Sequence, residues 1–402
     1  MKLEPSTGTE RIMTLDVIRG FALLGILLAN MAFFKTPAIQ ESGFFMNSVP
    51  LDGGVWDVSA SLFIDTFILG KFYPMFSLLF GLGFYLFYER ARVRELDGKK
   101  LFQRRLVFLL SIGLIHLVLI WSGDILFTYA IAGFALLLFV NRTPKVILAW
   151  GISLIAGMTL LLGLFVTGGN FVLQSKMGGS LQEETQTGIE EAYRVMSEGG
   201  FIEILLHRLD NEVFLILSNS PFSALNVLGI FLIGLYMGKK GWFRDVEAHV
   251  SNWKKLRLHA GWSGIILTAL FIGLTYDFLP VPYWLGSALG QGLNITAGPL
   301  LMLFYVSAAV LYLHNKQPGF FTVSLAAVGR MALTNYLLQS VIAVILFFGY
   351  GFGLFGSVGA FAGMLTALGI YVLQVVGSRM WLQHFRQGPM EALWRKWTYS
   401  RT

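Results

Sequence analysis

Ten stretches of this chain stay apolar for about the length needed to cross a hydrocarbon layer, and no motif constrains the fold as strongly. A helix needs about 20 residues, at 1.5 Å each, to span ~30 Å of hydrocarbon. The stretches are roughly Leu15–Phe34, Lys71–Phe87, Leu106–Trp121, Ile125–Val140, Val146–Val166, Pro221–Met237, Ala260–Tyr276, Gln291–Leu313, Val328–Phe348 and Val358–Val376. Composition removes the alternatives: 55% of residues are hydrophobic and 13% charged, where soluble domains carry about 25% charge. Such a chain cannot clothe one soluble domain, and 35 Phe and 10 Trp exclude a solvated disordered one. The expected fold is an all-α integral membrane protein of about ten transmembrane helices, with both termini cytoplasmic. Residues 1–402 form a single polytopic domain: a short N-terminus to residue 14, a bundle over 15–376 and a basic tail over 377–402. Val55–Leu69, with Asp57 and Asp65, and Phe201–Ser218, with Glu203, His207, Arg208, Asp210 and Glu212, are ambiguous. They suit interfacial or re-entrant helices on the outer side.

The net charge of +7 would suit nucleic acid, but its placement argues otherwise. Glu89–Arg105, Lys239–Arg257 and the tail from Gly377 hold seven, six and five Lys/Arg. With ten spans and a cytoplasmic N-terminus, 23 of the 30 basic residues fall in cytoplasmic segments and four outside. Short-loop Lys/Arg bias sets orientation, so the charge is topological and no nucleic-acid partner is expected. Membrane lipids are. The expected location is the plasma membrane, as a multi-pass protein. Asp16 and Arg19 interrupt the first span, which is therefore not a cleavable signal. There is no cysteine, hence no disulfide, thiolate ligand or cysteine nucleophile. The glycine run Gly349–Gly356 lacks the strand, helix and Lys of a phosphate loop and reads as an interfacial hairpin.

Inside a bilayer, the polar residues carry the information. Asp16 and Arg19 are three apart and can pair on one helix face, which Gly20 and Asn30 also share. They either fix helix rotation or bind a ligand. His116 lies five residues below the outer end of an apolar run that turns at Ser122-Gly123-Asp124 into a returning run with Tyr129. This hairpin puts His116 and Tyr129 at one depth, ~7 Å below the turn. Asp124 suits the N-cap of the second helix, and the three together suit general-base chemistry. Within Gly329–Ser340, Arg330 and Thr334 share one face, Asn335 and Gln339 another, with Tyr336 between. These could be interhelical glue. Arg330, near the cytoplasmic end, suits phosphate. Lys71 opens the second span as a further ligand-binding candidate. No metal site is expected: the histidines have no ligand pairing at i,i+4, and the acids near His207 fit a surface face.

The motifs Arg11-Ile12-x-x-Leu15-Asp16-x-x-Arg19-Gly20, Gly70-Lys71-Phe72, Gly113-x-x-His116, Gly123-Asp124-Ile125-Leu126-x-x-Tyr129, Gly329–Ser340 and Gly388-Pro389-Met390-Glu391 together resemble the DUF418, or YeiB, family of bacterial membrane proteins. The Leu-Asp-x-x-Arg-Gly opening is also similar to that of lysosomal heparan-α-glucosaminide N-acetyltransferase and its bacterial relatives. That second resemblance covers the first two spans. It implies a transmembrane acyltransferase: acyl-CoA enters from the cytoplasm, and a glycan, lipid or small-molecule acceptor takes the acyl group on the far side. It also implies a homodimer. Those acetyltransferases carry an active-site His in the first outside loop, whereas Lys35–Gly70 holds none. Either His116 takes that place or the reaction is not carried out here. The expected roles are then His116 as base, helped by Asp124 or Tyr129, with Arg19 and Arg330 on CoA phosphates and Asn335 and Gln339 along the path. A proton-coupled transporter of a small polar or amphipathic solute is the rival reading, and a non-catalytic scaffold a third.

Overall fold

A computed structural model describes residues 12–37, 54–176, 180–314 and 316–400. Among them the chain is all helical. Its α-helices in order are α1 (Met13–Lys35), α2 (Val55–Phe67), α3 (Phe72–Val93), α4 (Gly98–Ile115), α5 (Leu126–Leu136), α6 (Pro144–Lys176), α7 (Ser180–Glu198) and α8 (Phe201–Arg208). They continue as α9 (Phe214–Lys239), α10 (Val250–Thr275), α11 (Tyr283–Leu313), α12 (Phe320–Arg330), α13 (Ala332–Phe347), α14 (Ala360–His384) and α15 (Pro389–Tyr399). Eight stretches among the described residues are long and apolar enough to cross a membrane. A bent pair, α12 with α13, adds one more at most, and the apolar Leu126–Phe139 is shorter.

Three expectations need correction. The span Val328–Phe348 is two helices that meet at 82°. Met331 leaves the helical region (ψ 35°), so Arg330 sits at a corner and shares no continuous face with Thr334. Phe201–Ser218 is not a separate interfacial helix: it runs through a π turn at Leu209–Val213 into α9, giving a 39-residue stretch. At 1.5 Å per residue that is ~58 Å, too long for the hydrocarbon alone. Finally, the tail is folded. α14 extends to His384, and α15 returns against α4, where Trp394 and Trp397 donate to the carbonyls of Arg105 and Arg104 at 3.0 and 3.2 Å.

Two close approaches set the site. A Cβ on Gly20 would lie 2.0 Å from the Leu325 carbonyl oxygen, and one on Gly329 1.9 Å from that of Asp16. Only glycine lets α1 and α12 meet backbone to backbone there, which brings Asp16 and Arg330 to the same place. Gly113 does the same for the hairpin of α4 and α5, since its Cβ would lie 2.4 Å from the Phe127 nitrogen. Most of the loop Lys and Arg gather at one end of the bundle, with α15. The other end carries the 121–125 turn and the aromatic 348–359 hairpin, tied to α1 where Lys35 donates to the Val358 carbonyl at 2.8 Å.

Candidate functional site

A cavity of about 420 Å³ lies between α1, α3, α4, α5, α12, α13 and α15. Four arginines line it: Arg19, Arg90, Arg105 and Arg330. Its walls are apolar, chiefly Phe76, Phe80, Phe84, Phe102 and Leu106, and it reaches Ile125, Tyr129 and Tyr336. Long amphipathic ligands suit that layout.

Three of these arginines are held by visible partners. The Arg19 guanidinium donates to Asp16 at 2.9 Å, so the buried carboxylate is neutralised by the helix that carries it. Arg105 lies 4.0 Å over the Trp394 ring and 5.0 Å over Phe87. Arg330 donates to the Arg386 carbonyl at 2.9 Å. The break at Met331 frees the first N–H groups of α13, and Glu391 answers them. It accepts from the Leu333 and Thr334 backbone at 2.7 and 3.1 Å and from the Thr334 hydroxyl at 2.6 Å. A carboxylate there suits the helix dipole.

Behind the inner end sits His116, 1% exposed. The chain passes into a π turn, His116–Ile120, before the hairpin reverses. His116 Nδ1 lies 2.9 Å from Asp124 Oδ1, while Asp124 Oδ2 accepts the Phe127 N–H at 2.7 Å. Asp124 therefore caps α5 and holds the imidazole at once. With Nδ1 donating to the carboxylate, the lone pair of a neutral ring falls on Nε2. Nε2 is buried and has no hydrogen-bond partner. The ring packs 5.4 Å from Tyr336 and 6.3 Å from Trp121. The Tyr336 hydroxyl bridges the turn, accepting from Ile125 N at 3.2 Å and donating to the Gly123 carbonyl at 3.4 Å.

The other named residues stand elsewhere. Tyr129 lines the cavity, but its hydroxyl bonds to Ser77 and the Tyr73 carbonyl, each at 2.8 Å, and not to His116. Thr334 is occupied by Glu391. Asn335 and Gln339 turn from the cavity toward α14, where they bond Ser378 at 3.0 Å and Gln374 at 2.8 Å. Asn30 is half-buried, ~16 Å along α1 from Arg19. Lys71 is fully buried apart from the cavity. It donates to the Asp65 carbonyl at 2.8 Å and lies 5.4 Å from the centre of the Phe271 ring.

Sequence reasoning passed over Arg208 and Glu212 as a surface face. Both are buried: Arg208 donates to the carbonyls of Leu117 (2.7 Å) and Ile120 (3.1 Å), and Glu212 accepts from the Ser122 hydroxyl. They brace the turn that carries His116. Their i,i+4 spacing within an apolar segment was the available signal. Glu391, Arg90 and Arg105 were likewise counted as family motif or loop charge.

Fold and site together define a multi-pass helical membrane protein with an arginine-lined cavity and a buried His–Asp pair. The chain belongs to the DUF418 family: the family model described as "Protein of unknown function (DUF418)" matches residues 237–401. Full-length relatives extend the match: protein YxaH of Bacillus subtilis (strain 168) is 34% identical over 99% of this chain and 96% of its own length. Protein YeiB of Escherichia coli (strain K12) is 29% identical over 97% and 96%.

Proposed function

We propose that this chain is an integral-membrane acyltransferase that draws an acyl group from acyl-CoA on the cytoplasmic side and passes it to a hydroxyl or amine acceptor on the outer side. The topology in this reading is ten crossings in the plasma membrane, counting the bent pair and Leu126–Phe139 as one crossing each, with both termini cytoplasmic. One observation carries the reading: a single cavity is lined both by four arginines and by Tyr336, whose ring packs against His116. Arginines recognise phosphates bidentately, and the apolar walls accept an acyl chain.

His116 is the general base. Asp124 holds its Nδ1–H, so Nε2 takes the proton of the acceptor as the acceptor's oxygen or nitrogen attacks the thioester carbonyl. The carbon–sulfur bond then breaks, and the proton passes from Nε2 to the departing CoA thiolate. A proton-coupled carrier is less well supported, because Lys71 and the Asp65 carboxyl are already bound inside the protein, the latter by Tyr276 at 2.6 Å.

The test is titration of the full chain in nanodiscs with palmitoyl-CoA, followed by transfer of labelled acyl groups to membrane extracts. Arg330→Gln should weaken binding at least about tenfold. His116→Gln should leave binding intact and lower transfer about 10²–10⁴-fold. No binding by the wild-type chain, or wild-type transfer by His116→Gln, ends the reading.

A further inference from the structure

A second cavity of about 390 Å³ lies at the basic end, between the start of α1 and helices α12 and α14. Its polar lining is Asp16, Arg330, Arg379 and Gln383; the rest is Met13, Val323 and small or apolar residues of α12 and α14. Asp16 and Arg330 also line the inner cavity, so these two side chains stand between the two spaces. Arg379 is held in place rather than loose. It donates to the buried Ser324 hydroxyl at 3.1 Å, and its guanidinium lies 4.5 Å over the Phe320 ring. One guanidinium nitrogen is thereby used, and the planar group stays fixed beside the cavity with further donors.

Charge and polarity differ between the two spaces. The inner one is lined mostly by apolar side chains. The second is flanked by two arginines, Arg330 and Arg379, with Asp16 already paired to Arg19 at 2.9 Å. We infer that the second cavity seats a phosphate group and that both cavities together hold one bipartite amphiphile. Its phosphorylated head lies between Arg330 and Arg379, and its apolar tail passes Asp16 into the inner cavity. This deepens the acyl-donor reading and rests on it only for the identity of the head. A CoA nucleotide and a phospholipid headgroup share the chemistry the arginines recognise.

Three probes separate the sources: palmitoyl-CoA, adenosine 3′,5′-bisphosphate as a tailless head, and dioctanoyl phosphatidic acid. Each is titrated against the full chain in nanodiscs. Arg379→Gln removes the charge at the second cavity. Gly83→Leu fills the inner one, because a Cβ there meets nothing closer than Arg19 at 3.9 Å. Palmitoyl-CoA affinity should fall at least about tenfold in either variant. The bisphosphate should respond to Arg379→Gln alone, and Arg379→Lys, which keeps the charge, should restore most of the binding. Should Arg379→Gln fail to fold, Gln383→Glu places a repelling charge on an exposed lining residue and should weaken the same two probes. If phosphatidic acid alone shows the double dependence, the bipartite site stands and the acyl-CoA reading falls. If palmitoyl-CoA senses Gly83→Leu but not Arg379→Gln at equal thermal stability, the inference is overturned while the acyl-donor reading survives. If no probe binds the wild-type chain, both fall.

Discussion

Asn335 and Tyr336 are neighbours on α13, yet they face different surroundings. Asn335 donates to the Val328 carbonyl at 3.1 Å and to Ser378 at 3.0 Å, while its own carbonyl accepts from Gln374 at 2.8 Å. Gln374 in turn accepts from Gln339 at 2.8 Å. That chain of amides joins α13 to α14, and each amide finds a partner in it. On the next face, Tyr336 borders a cavity and packs against His116, whose Nε2 has none. Both clusters are buried and polar, so burial does not tell them apart. Saturation does. A satisfied network fixes helix against helix; His116 Nε2 has no hydrogen-bond partner among the described residues, and in the function proposed above it is that nitrogen that takes the acceptor's proton.

The contrast can be broken first at the brace. Arg208→Met should cost about 3–5 kcal/mol, because it strands the Glu212 carboxylate and the Leu117 and Ile120 carbonyls in a dry interior. Adding Glu212→Leu should recover part of that loss, since removing a buried charge with its partner is far milder than orphaning it. Unfolding in mild detergent, followed by tryptophan fluorescence, measures both. If Arg208→Met alone is neutral, the turn carrying His116 is not held from this side.

Next comes the amide chain. Gln374→Leu leaves Gln339 without its acceptor and should cost about 1–3 kcal/mol, while Gln339→Leu with Gln374→Leu should cost much less. Palmitoyl-CoA binding, where it occurs, should be unchanged in the double variant. A loss of binding at full stability would place these amides on the ligand path after all. Smaller again is Glu391→Ala, which uncaps α13 and should cost about 0.5–2 kcal/mol; an undiminished melting temperature would argue that water caps the helix equally well.

These effects also show what could be read from the chain alone. The Asp16–Arg19 pair follows from spacing, because both partners lie on one helix and need no tertiary knowledge. So does the hairpin: three residues between two apolar runs fix Asp124 at a helix start and His116 one turn or so below it. The break at Met331 could not be read. No Gly or Pro marks position 331, and the group that makes the break affordable, Glu391, arrives from 58 residues away. Arg208 escaped for the same reason, its acceptors lying 88 and 91 residues back. Local pairing is visible in sequence; long-range satisfaction is not. That is why Asn335 and Gln339 could not be separated from Tyr336 before their partners on α14 were known.

His116→Gln should disturb stability least, and that makes it the sharpest test of the contrast. Glutamine keeps a polar group near Asp124 and gives up the ring contacts to Tyr336 and Trp121, so the expected cost is within about 1 kcal/mol. In the amide network, the reverse holds: substitution harms stability and leaves chemistry alone. If His116 is instead another saturated core residue, His116→Gln should behave like Gln374→Leu, destabilising by about 1–3 kcal/mol with no separate functional effect. Measuring melting temperature and acyl transfer on the same preparations distinguishes the two. A stable, inactive His116→Gln beside an unstable, active Gln374→Leu would assign the two faces of α13 to function and to architecture.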